Sequence, residues 1–282
     1  MKQAAMVIGL LLIMNDSVEA IESTREVPLK NLILPGEVFE VDGWQAFRFI
    51  PDETRKTVDK PWVLYAPTLP AYPDRAELWM HQQLVSAGVA VAGIDTGESY
   101  GSPEAVRATE ALHKEMVRRG YSEKPVVFGR SRGGLWASAW AITHPEWTAG
   151  VGGIYPVFDW RTYPGVEKAA AAYGLLPEEL DAQASVLCPI EKIDVLAKAN
   201  IPFCIIHGDA DKVVPLETNS AELKKRYESF GKGALVELII ANDQGHSFWK
   251  GYFQCQALVD FLIVRATNPL LPNALKKPVR SP

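Results

Sequence analysis

The sequence has few cysteines, little net charge and no apolar run of membrane-spanning length, and each absence narrows the function. The 282 residues carry a net charge of −5, which gives no reason to expect nucleic acid or an anionic membrane as a partner. The three cysteines lack the spacing of metal ligands, and neither G-x-x-x-x-G-K-[ST] nor G-x-G-x-x-G occurs. The sequence therefore predicts no metal, no cofactor, and neither a nucleic-acid nor a membrane partner. It leaves the oligomeric state open.

The first twenty residues differ from the rest of the chain. Lys2 precedes the apolar stretch Ala4–Met14, which is too short to cross a bilayer as a helix. Polar residues follow, and small residues stand at Val18 and Ala20. This order is typical of a secretory signal peptide cleaved after Ala20. We expect residues 1–20 to be removed and the protein to be secreted or periplasmic.

The three cysteines are Cys188, Cys204 and Cys255. An oxidising compartment allows one disulfide and leaves one thiol over. Cys204 lies in the apolar run 202–206, which indicates burial as a small hydrophobic residue. Cys188 and Cys255 are the remaining pair, and the sequence leaves open whether they meet.

Short apolar runs alternate with helical patterns from about residue 60 onward. The predicted strands are Trp62–Ala66, Val89–Ile94, Val126–Phe128, Ala149–Ile154, Phe203–His207 and Leu235–Ile240. The predicted helices are Ala76–Ala87, Pro103–Arg119, Leu135–Thr143, Leu216–Phe230 and Tyr252–Arg265. The strands are apolar at successive positions, as in strands covered on both faces. The pattern predicts an α/β fold with a doubly wound, mainly parallel sheet.

Three further segments complete the predicted organisation of the chain. Asp42-Gly43 stands between two strand-like runs and indicates a hairpin, so that an antiparallel edge opens the sheet. The segment of about 156–200 is too long for a simple crossover and is interpreted as a short helical lid over the carboxyl ends of the strands. We expect the main domain to cover residues 21–266 and a loosely packed tail to cover 267–282.

Residues Gly129-Arg130-Ser131-Arg132-Gly133 match G-x-S-x-G between a predicted strand and a predicted helix. A nucleophilic serine needs a sharp turn, on which only small residues fit two positions to either side. A phosphate-binding glycine turn is the weaker interpretation, because both phosphate-loop patterns are absent.

A serine nucleophile needs a base, and the base needs an orienting carboxylate. After the apolar run Phe203–Ile206 comes H-G-D-A-D-K-V-V-P, and the last histidine of the chain is His246 in D-Q-G-H. This order resembles the α/β-hydrolase family, most closely the prolyl-oligopeptidase and dienelactone-hydrolase kinds, over about residues 35–266. The resemblance implies Ser131 as nucleophile, Asp211 as orienting acid and His246 as general base.

Two other carboxylates compete with Asp211 as the acid. Asp209 lies two residues earlier, where it is equally suited to bracing the loop. Asp159 follows the preceding strand, where some members of the family place their acid. Asp211 is preferred, because it fits the loop pattern before V-x-P.

A tetrahedral oxyanion needs preorganised N–H donors. The backbone N–H of Arg132, directly after the serine, is the first candidate. Pro67 has no N–H, so the second donor is expected from Thr68 or Leu69, although the H-G pair frequent in the family at this point is absent.

The two arginines beside Ser131 have two possible roles. They can hold the turn by binding carboxylates or carbonyls, and Glu98 in the turn after Val89–Ile94 is one possible partner. Alternatively, one of them recognises an acidic or polyhydroxylated substrate. The predicted substrate-binding residues are Arg130 together with Trp160 and Trp249.

These features predict a secreted serine hydrolase that cleaves a carboxylic ester through an acyl-enzyme, on a small-molecule or carbohydrate ester. A serine peptidase of the prolyl-oligopeptidase kind is the first alternative. A non-catalytic binding protein on a hydrolase fold is the second, and the presence of all three side chains in order speaks against it.

Overall fold

The computed structural model describes residues 30–51, 60–68 and 70–269. The predicted signal peptide, residues 1–20, lies outside the described residues, as do Leu69 and nearly all of the predicted tail. Within the described ranges, no helix is both long enough and apolar enough to cross a membrane.

The described residues form a single sheet of eight strands. The strands are β1 (Gly36–Val41), β2 (Trp44–Phe49), β3 (Trp62–Ala66), β4 (Ala90–Ile94), β5 (Val126–Arg130), β6 (Gly150–Ile154), β7 (Phe203–Gly208) and β8 (Val236–Ala241). Their order across the sheet is β1-β2-β4-β3-β5-β6-β7-β8. β2 pairs antiparallel with β1 and β4, and all other neighbours are parallel. The prediction of a mainly parallel sheet with an antiparallel edge is confirmed.

The hairpin at this edge forms where Asp42-Gly43 predicts it. Both residues have positive φ, +49° and +82°, which fits a two-residue turn between antiparallel strands. The turn aligns Val41 with Trp44 and Gly36 with Phe49. The five parallel strands from β3 to β7 are buried at every position, because helices cover both faces.

Helices lie on both faces of the sheet. They are α1 (Leu78–Ser86), α2 (Pro103–Arg118), α3 (Gly133–Thr143), α4 (Val166–Tyr173), α5 (Pro177–Ala182), α6 (Ala184–Leu187), α7 (Asp194–Lys198), α8 (Ser220–Ser229), α9 (Lys250–Phe253) and α10 (Gln256–Thr267). One core layer lies between the sheet and α2, α3, α7 and α8. The other lies between the sheet and α1 and α10. Because the strands from β3 to β8 run parallel, their carboxyl ends and the loops that follow them lie at one edge of the sheet.

The segment between β6 and β7 contains the four short helices α4 to α7, in the region where an insertion is predicted. One of its contacts with the rest of the molecule is made by Tyr173, whose hydroxyl donates to the carbonyl of Tyr100 at 3.0 Å. A function of this segment as a lid stays a prediction.

The cysteines lie in different layers of the core. Cys188 packs with the layer of α2 and α3, whereas Cys255 packs against the layer of α1 and α10. All three cysteines are free, and the sheet separates Cys188 from Cys255, so the pair that the sequence left open does not form a disulfide. Cys204 is completely buried, as predicted.

His81 on α1 is an unusual member of the second core layer. Its ring lies edge-on to Phe49 and Tyr65, with centroids 5.5 and 5.3 Å away. Among the described residues neither ring nitrogen has a hydrogen-bond partner. Burial, together with the positive charge of Arg130, lowers the pKa of His81 from 6.5 to about 3. The native protein therefore keeps this histidine neutral.

Replacing His81 by leucine is expected to make the protein less sensitive to acid. Below pH 6.5 His81 binds a proton in the unfolded chain but not in the native state. The free energy of unfolding therefore falls as the pH decreases toward 3. At pH 5 this linkage costs about 2 kcal/mol. Urea unfolding measures how much unfolding free energy each protein loses between pH 7.5 and pH 5. This loss should be smaller in His81→Leu than in the wild type by that amount. Equal pH differences in the two proteins would contradict the assignment.

Candidate active site

Ser131 lies on a sharp turn between β5 and α3. Its φ is +52°, a region that residues with a side chain rarely adopt. Three backbone hydrogen bonds hold the turn: Ser131 N–H donates to the carbonyl of Ile154 at 3.0 Å, and the Ser131 carbonyl accepts from Gly134 and Val157, each at 2.9 Å. The surrounding backbone thus maintains the conformation that presents the serine hydroxyl at the edge of the sheet.

The glycines of G-x-S-x-G are required by close backbone contacts. A Cβ on Gly133 would overlap the carbonyl oxygen of Ala66, and a Cβ on Gly129 would lie 2.9 Å from the backbone of Gly134. Both approaches are shorter than carbon atoms tolerate. The two glycines of the motif therefore allow α3 to pack closely against β3 and β5 at this turn.

The structure brings Ser131, His246 and Asp211 into one hydrogen-bonded chain. Ser131 Oγ lies 2.9 Å from His246 Nε2, and His246 Nδ1 lies 2.8 Å from Asp211 Oδ2. Because an ionised carboxylate only accepts hydrogen bonds, Nδ1 carries the proton. Nε2 is then free to accept the proton of the serine hydroxyl.

Asp211 is buried and held as an anion. Its Oδ1 accepts the backbone N–H groups of Val213 and Val214 at 2.9 and 2.8 Å. Burial alone would raise the pKa of Asp211, but contacts with His207 and His246 and the N–H of Val214 outweigh it and hold this pKa well below its usual range. The carboxylate therefore stays charged beside the imidazole.

Neighbouring residues brace the loops that carry the acid and the histidine. Asp209 Oδ1 accepts the backbone N–H of Asp243 at 2.7 Å, which ties the two loops together. His207 Nε2 lies 2.9 Å from the carbonyl of Val214 and 3.6 Å from Asp211 Oδ2. The ring of Tyr155 lies 4.2 Å from that of His246, centroid to centroid. Asp209 thus has the bracing position that the sequence allowed as an alternative, and His207 supports the loop that carries the acid.

Asp159, the other candidate acid, has different partners. Its carboxylate binds Arg161 through Nε and Nη2, each at 2.8 Å, and it lies 3.4 Å from the thiol of Cys188. Both of its carboxylate oxygens are therefore used in the segment between β6 and β7, while the imidazole of His246 is bound by Asp211.

Of the predicted oxyanion donors, Arg132 and Thr68 are among the described residues. Arg132 lines the same pocket as Ser131, and within the described ranges its N–H donates to no backbone carbonyl. Thr68 is buried, its hydroxyl donates to the carbonyl of Ile94, and its own carbonyl accepts from Lys30 Nζ at 3.1 Å. Leu69 lies outside the described residues.

A pocket of about 220 Å³ opens beside Ser131 and His246. Aromatic rings form much of its wall, namely those of Tyr72, Tyr155, Tyr163 and Phe248. Arg130 and Arg132 also line it, and no carboxylate is found among its described lining residues. The pocket therefore combines apolar contact area with two guanidinium groups.

Arg130 is held in a buried ion pair. Its Nη1 lies 2.8 Å from Glu77 Oε2 and 3.0 Å from Asp74 Oδ2, and Glu77 is completely buried. Burial opposes the guanidinium charge, but attraction to Glu77 together with Tyr65, Tyr155 and Asp74 outweighs it and raises the pKa of Arg130. The guanidinium also lies over the ring of Phe248, 5.1 Å from its centroid. Arg130 thus joins the serine turn to the segment before α1 and to the histidine loop.

The other two predicted substrate-binding residues are placed away from the pocket lining. Trp160 is completely buried, with its ring 6.4 Å from that of Tyr173. Trp249 is 42% exposed and packs edge-on against Tyr252 at 5.2 Å. Neither side chain lines the pocket at Ser131, because Trp160 is buried in the core and Trp249 packs against Tyr252.

Sequence reasoning missed Asp74 and Glu77 as partners of Arg130. Asp74-x-x-Glu77 matches a capping box, and the structure contains one there. That local pattern gives no indication of an arginine more than fifty residues later in the chain. Tyr72 and Tyr155 were likewise not distinguishable from core aromatics.

Removing the charge of Glu77 is expected to destabilise the fold. Glu77→Gln would leave Arg130 buried with only Asp74 as counter-ion, and the loss of one partner of a buried pair costs about 3 kcal/mol or more. Glu222→Gln, in a partly exposed pair with Arg226, should cost at most about 1 kcal/mol. Urea unfolding of both variants measures the two losses in the free energy of unfolding. Equal losses would show that burial does not make the Arg130 pair more important for stability than an exposed pair.

Among the described residues, no group of three or more histidine, cysteine, aspartate or glutamate side chains is arranged to hold a metal ion. The hydrogen-bonded chain at Ser131 is suited to nucleophilic chemistry, in which an activated hydroxyl attacks an electrophilic carbon.

Solved structures similar to this one include peptidases and esterases. A puromycin-hydrolyzing peptidase of Mycobacterium tuberculosis matches with a TM-score of 0.64 and 17% identity over 86% of this chain and 40% of its own. Est1E of Butyrivibrio proteoclasticus matches with a TM-score of 0.61 and 18% identity, over 82% of this chain and 98% of its own. An S-formylglutathione hydrolase of Agrobacterium tumefaciens matches with a TM-score of 0.60 and 18% identity, over 85% of this chain and 98% of its own. The chain thus spans about two fifths of that peptidase.

These likenesses confirm the α/β-hydrolase fold. No curated protein matches the sequence. The model of the prolyl oligopeptidase family, however, matches residues 98–263, a region that covers more than half of the chain and contains Ser131, Asp211 and His246. By this match the chain belongs to the prolyl oligopeptidase family and is a serine hydrolase.

Proposed function

We propose that the protein hydrolyses carboxylic esters, with Ser131 as nucleophile, His246 as general base and Asp211 as the acid that orients it. The observation that carries the proposal is the chain of 2.9 and 2.8 Å contacts from Ser131 through His246 to Asp211. It begins on a turn at positive φ and opens into a pocket. This is the arrangement that acyl transfer by a serine requires.

The reaction proceeds through an acyl-enzyme. Ser131 Oγ attacks the ester carbonyl carbon while His246 Nε2 takes the hydroxyl proton. The bond from this carbon to the alcohol oxygen then breaks, and His246 returns the proton to the leaving alcohol. Water attacks the acyl-serine by the same route in reverse, which releases the carboxylic acid and restores the hydroxyl. Asp211 remains an anion throughout and stabilises the imidazolium.

The negative charge on the carbonyl oxygen needs donors that are already in place. The backbone N–H of Arg132 is the first proposed donor. The second comes from the segment after β3, where Thr68 and Leu69 are the candidates. The closeness of this segment to the turn, with Ala66 against Gly133, supports this part of the proposal.

The lining of the pocket favours an ester over a peptide with a free amino terminus. The described lining residues include no carboxylate that could pair with a substrate ammonium group. The guanidinium groups of Arg130 and Arg132 are themselves neutralised by Glu77, Asp74 and Glu98. A small-molecule or carbohydrate ester needs no carboxylate in the pocket. Peptide cleavage is the second candidate, supported by the puromycin-hydrolyzing peptidase among the similar structures.

Export is part of the proposal. The basic start, the apolar stretch Ala4–Met14 and the small residues before Ile21 support cleavage after Ala20. A mature protein in the periplasm or the medium would then begin at Ile21, which amino-terminal sequencing of the exported form can establish.

Labelling and turnover together test the proposed activity. A fluorophosphonate should modify the purified protein at Ser131, as located by peptide mass spectrometry. Aryl acetates and butyrates should be hydrolysed with a higher kcat/KM than aminoacyl and dipeptidyl 4-nitroanilides. Absence of labelling would overturn the catalytic role of Ser131, and preferential turnover of the anilides would replace the esterase by a peptidase.

A further inference from the structure

The two arginines beside Ser131 differ in what their guanidinium groups contact. Arg130 is 6% exposed and donates hydrogen bonds to Glu77 and Asp74. Arg132 is 19% exposed, and its Nε lies 3.0 Å from Glu98 Oε2. Only the first arginine is thus held by a completely buried acid.

The contact between Arg132 and Glu98 is an ion pair without a hydrogen bond. Nε of Arg132 is buried, and within the described part of the chain it has no hydrogen-bond partner, although an oxygen of Glu98 lies within reach. The N–H of Nε therefore does not point at that oxygen. A guanidinium offers five donors in a planar fork. Arg132 lines the pocket, its guanidinium lies 5.5 Å from the ring centroid of Tyr72 in the pocket wall, and none of its donors forms a hydrogen bond with a described residue.

Glu98 is suited to being displaced. Its side chain is 47% exposed, so it can rotate into water with little loss of solvation. An ion pair in which one partner is this exposed to water is weakened by solvent screening. A second carboxylate that binds the guanidinium through two parallel hydrogen bonds would form the stronger contact.

We propose that Arg132 recognises a carboxylate carried by the substrate, which replaces Glu98 as its partner. The substrate class is then an ester that bears a second, free carboxylate close to the scissile bond. This inference rests on the proposed esterase function, because a substrate carboxylate meets Arg132 only when the ester is bound at the neighbouring Ser131. The remaining wall of Tyr72, Tyr163 and Phe248 packs against the carbon chain between the two groups.

The competition between Glu98 and the substrate predicts opposite effects for the two partners. Removing the guanidinium removes the site for the carboxylate. Removing the charge of Glu98 removes the competitor and leaves Arg132 with an uncompensated positive charge at the pocket wall. A purely structural ion pair would instead respond to both substitutions in the same direction.

Three aryl esters with acyl chains of equal length supply the test: the 4-nitrophenyl monoester of adipic acid, 4-nitrophenyl hexanoate and 4-nitrophenyl 6-aminohexanoate. They are anionic, neutral and cationic at pH 7. A second pair, 4-carboxyphenyl acetate and phenyl acetate, places the carboxylate on the alcohol side. The wild type should prefer the anionic member of one series by about tenfold in kcat/KM, the effect of a hydrogen bond to a charged group, and should turn over the cationic ester most slowly.

The variants are compared by the ratio of anionic to neutral turnover. Arg132→Gln keeps the backbone N–H and should lower the ratio about tenfold, whereas Glu98→Gln should raise it about threefold. Arg118→Gln removes an exposed arginine of α2 and should leave the ratio unchanged. A ratio near one in the wild type, or equal shifts in Arg132→Gln and Glu98→Gln, would overturn the proposal. Fluorophosphonate labelling of Ser131 separates this failure from a failure of the proposed esterase function. An enzyme that is labelled but hydrolyses the anionic, neutral and cationic esters at equal rates refutes only the recognition of a carboxylate.

Discussion

Replacement of Ser131 by alanine is expected to lower kcat for ester hydrolysis by about 10⁵-fold or more, the loss seen when a serine nucleophile is removed from such a chain of side chains. No other described hydroxyl contacts His246 in the structure, and Ser131 Oγ does so at 2.9 Å. Without it, His246 has no group to activate for attack. Covalent labelling by a fluorophosphonate should disappear in the same variant.

The substitution should leave the fold intact, which makes the loss interpretable. Alanine keeps the Cβ, and the three hydrogen bonds that hold the turn are made by the backbone of residue 131. Ser138→Ala on α3 is a matched control, since it removes a buried hydroxyl that donates within the helix at 2.5 Å. Kinetics and thermal unfolding of both variants are the measurements. A Ser131→Ala enzyme that retained a tenth of its activity would exclude Ser131 as nucleophile.

Much of the fold follows from the sequence because its parallel strands are covered on both faces. Such strands are continuous apolar runs, and each of the six predicted runs overlaps a strand of the structure. Helix ends are equally readable where a local signal exists: α2 begins at Pro103 after Ser102, whose hydroxyl accepts the N–H of Ala105. The helices α4 to α7 are too short to give a periodic pattern.

The candidate site is predictable to the extent that topology orders it. Ser131, Asp211 and His246 follow β5, β7 and β8, and the carboxyl ends of parallel strands meet at one edge. The environment of the arginines is not predictable in this way. Pairing of Arg130 with Glu77, and the burial of Trp160, depend on packing between segments that are distant in sequence. Whether such a side chain faces the pocket or the core depends on its direction, and no local sequence pattern specifies that direction.

Replacement of Asp211 by asparagine is expected to lower kcat by about 10⁴-fold while leaving the site nearly unchanged in shape. The backbone fixes which way the new amide faces. Oδ1 of Asp211 accepts two N–H groups, from Val213 and Val214, so the amide oxygen must take this place. The amide nitrogen then occupies the position of Oδ2, 2.8 Å from Nδ1 of His246.

An amide N–H at that position forces Nδ1 of His246 to act as an acceptor, which moves its proton to Nε2. Nε2 then faces Ser131 with a hydrogen and cannot take the hydroxyl proton. Asp159→Asn and Asp209→Asn remove the other two carboxylates considered as the acid, and each should cost less than about tenfold, since neither contacts His246. The three variants are compared by kcat with an aryl ester. If Asp159→Asn showed the largest loss, the orienting acid would lie in the segment after β6, and the contact of Asp211 with His246 would have only a structural role.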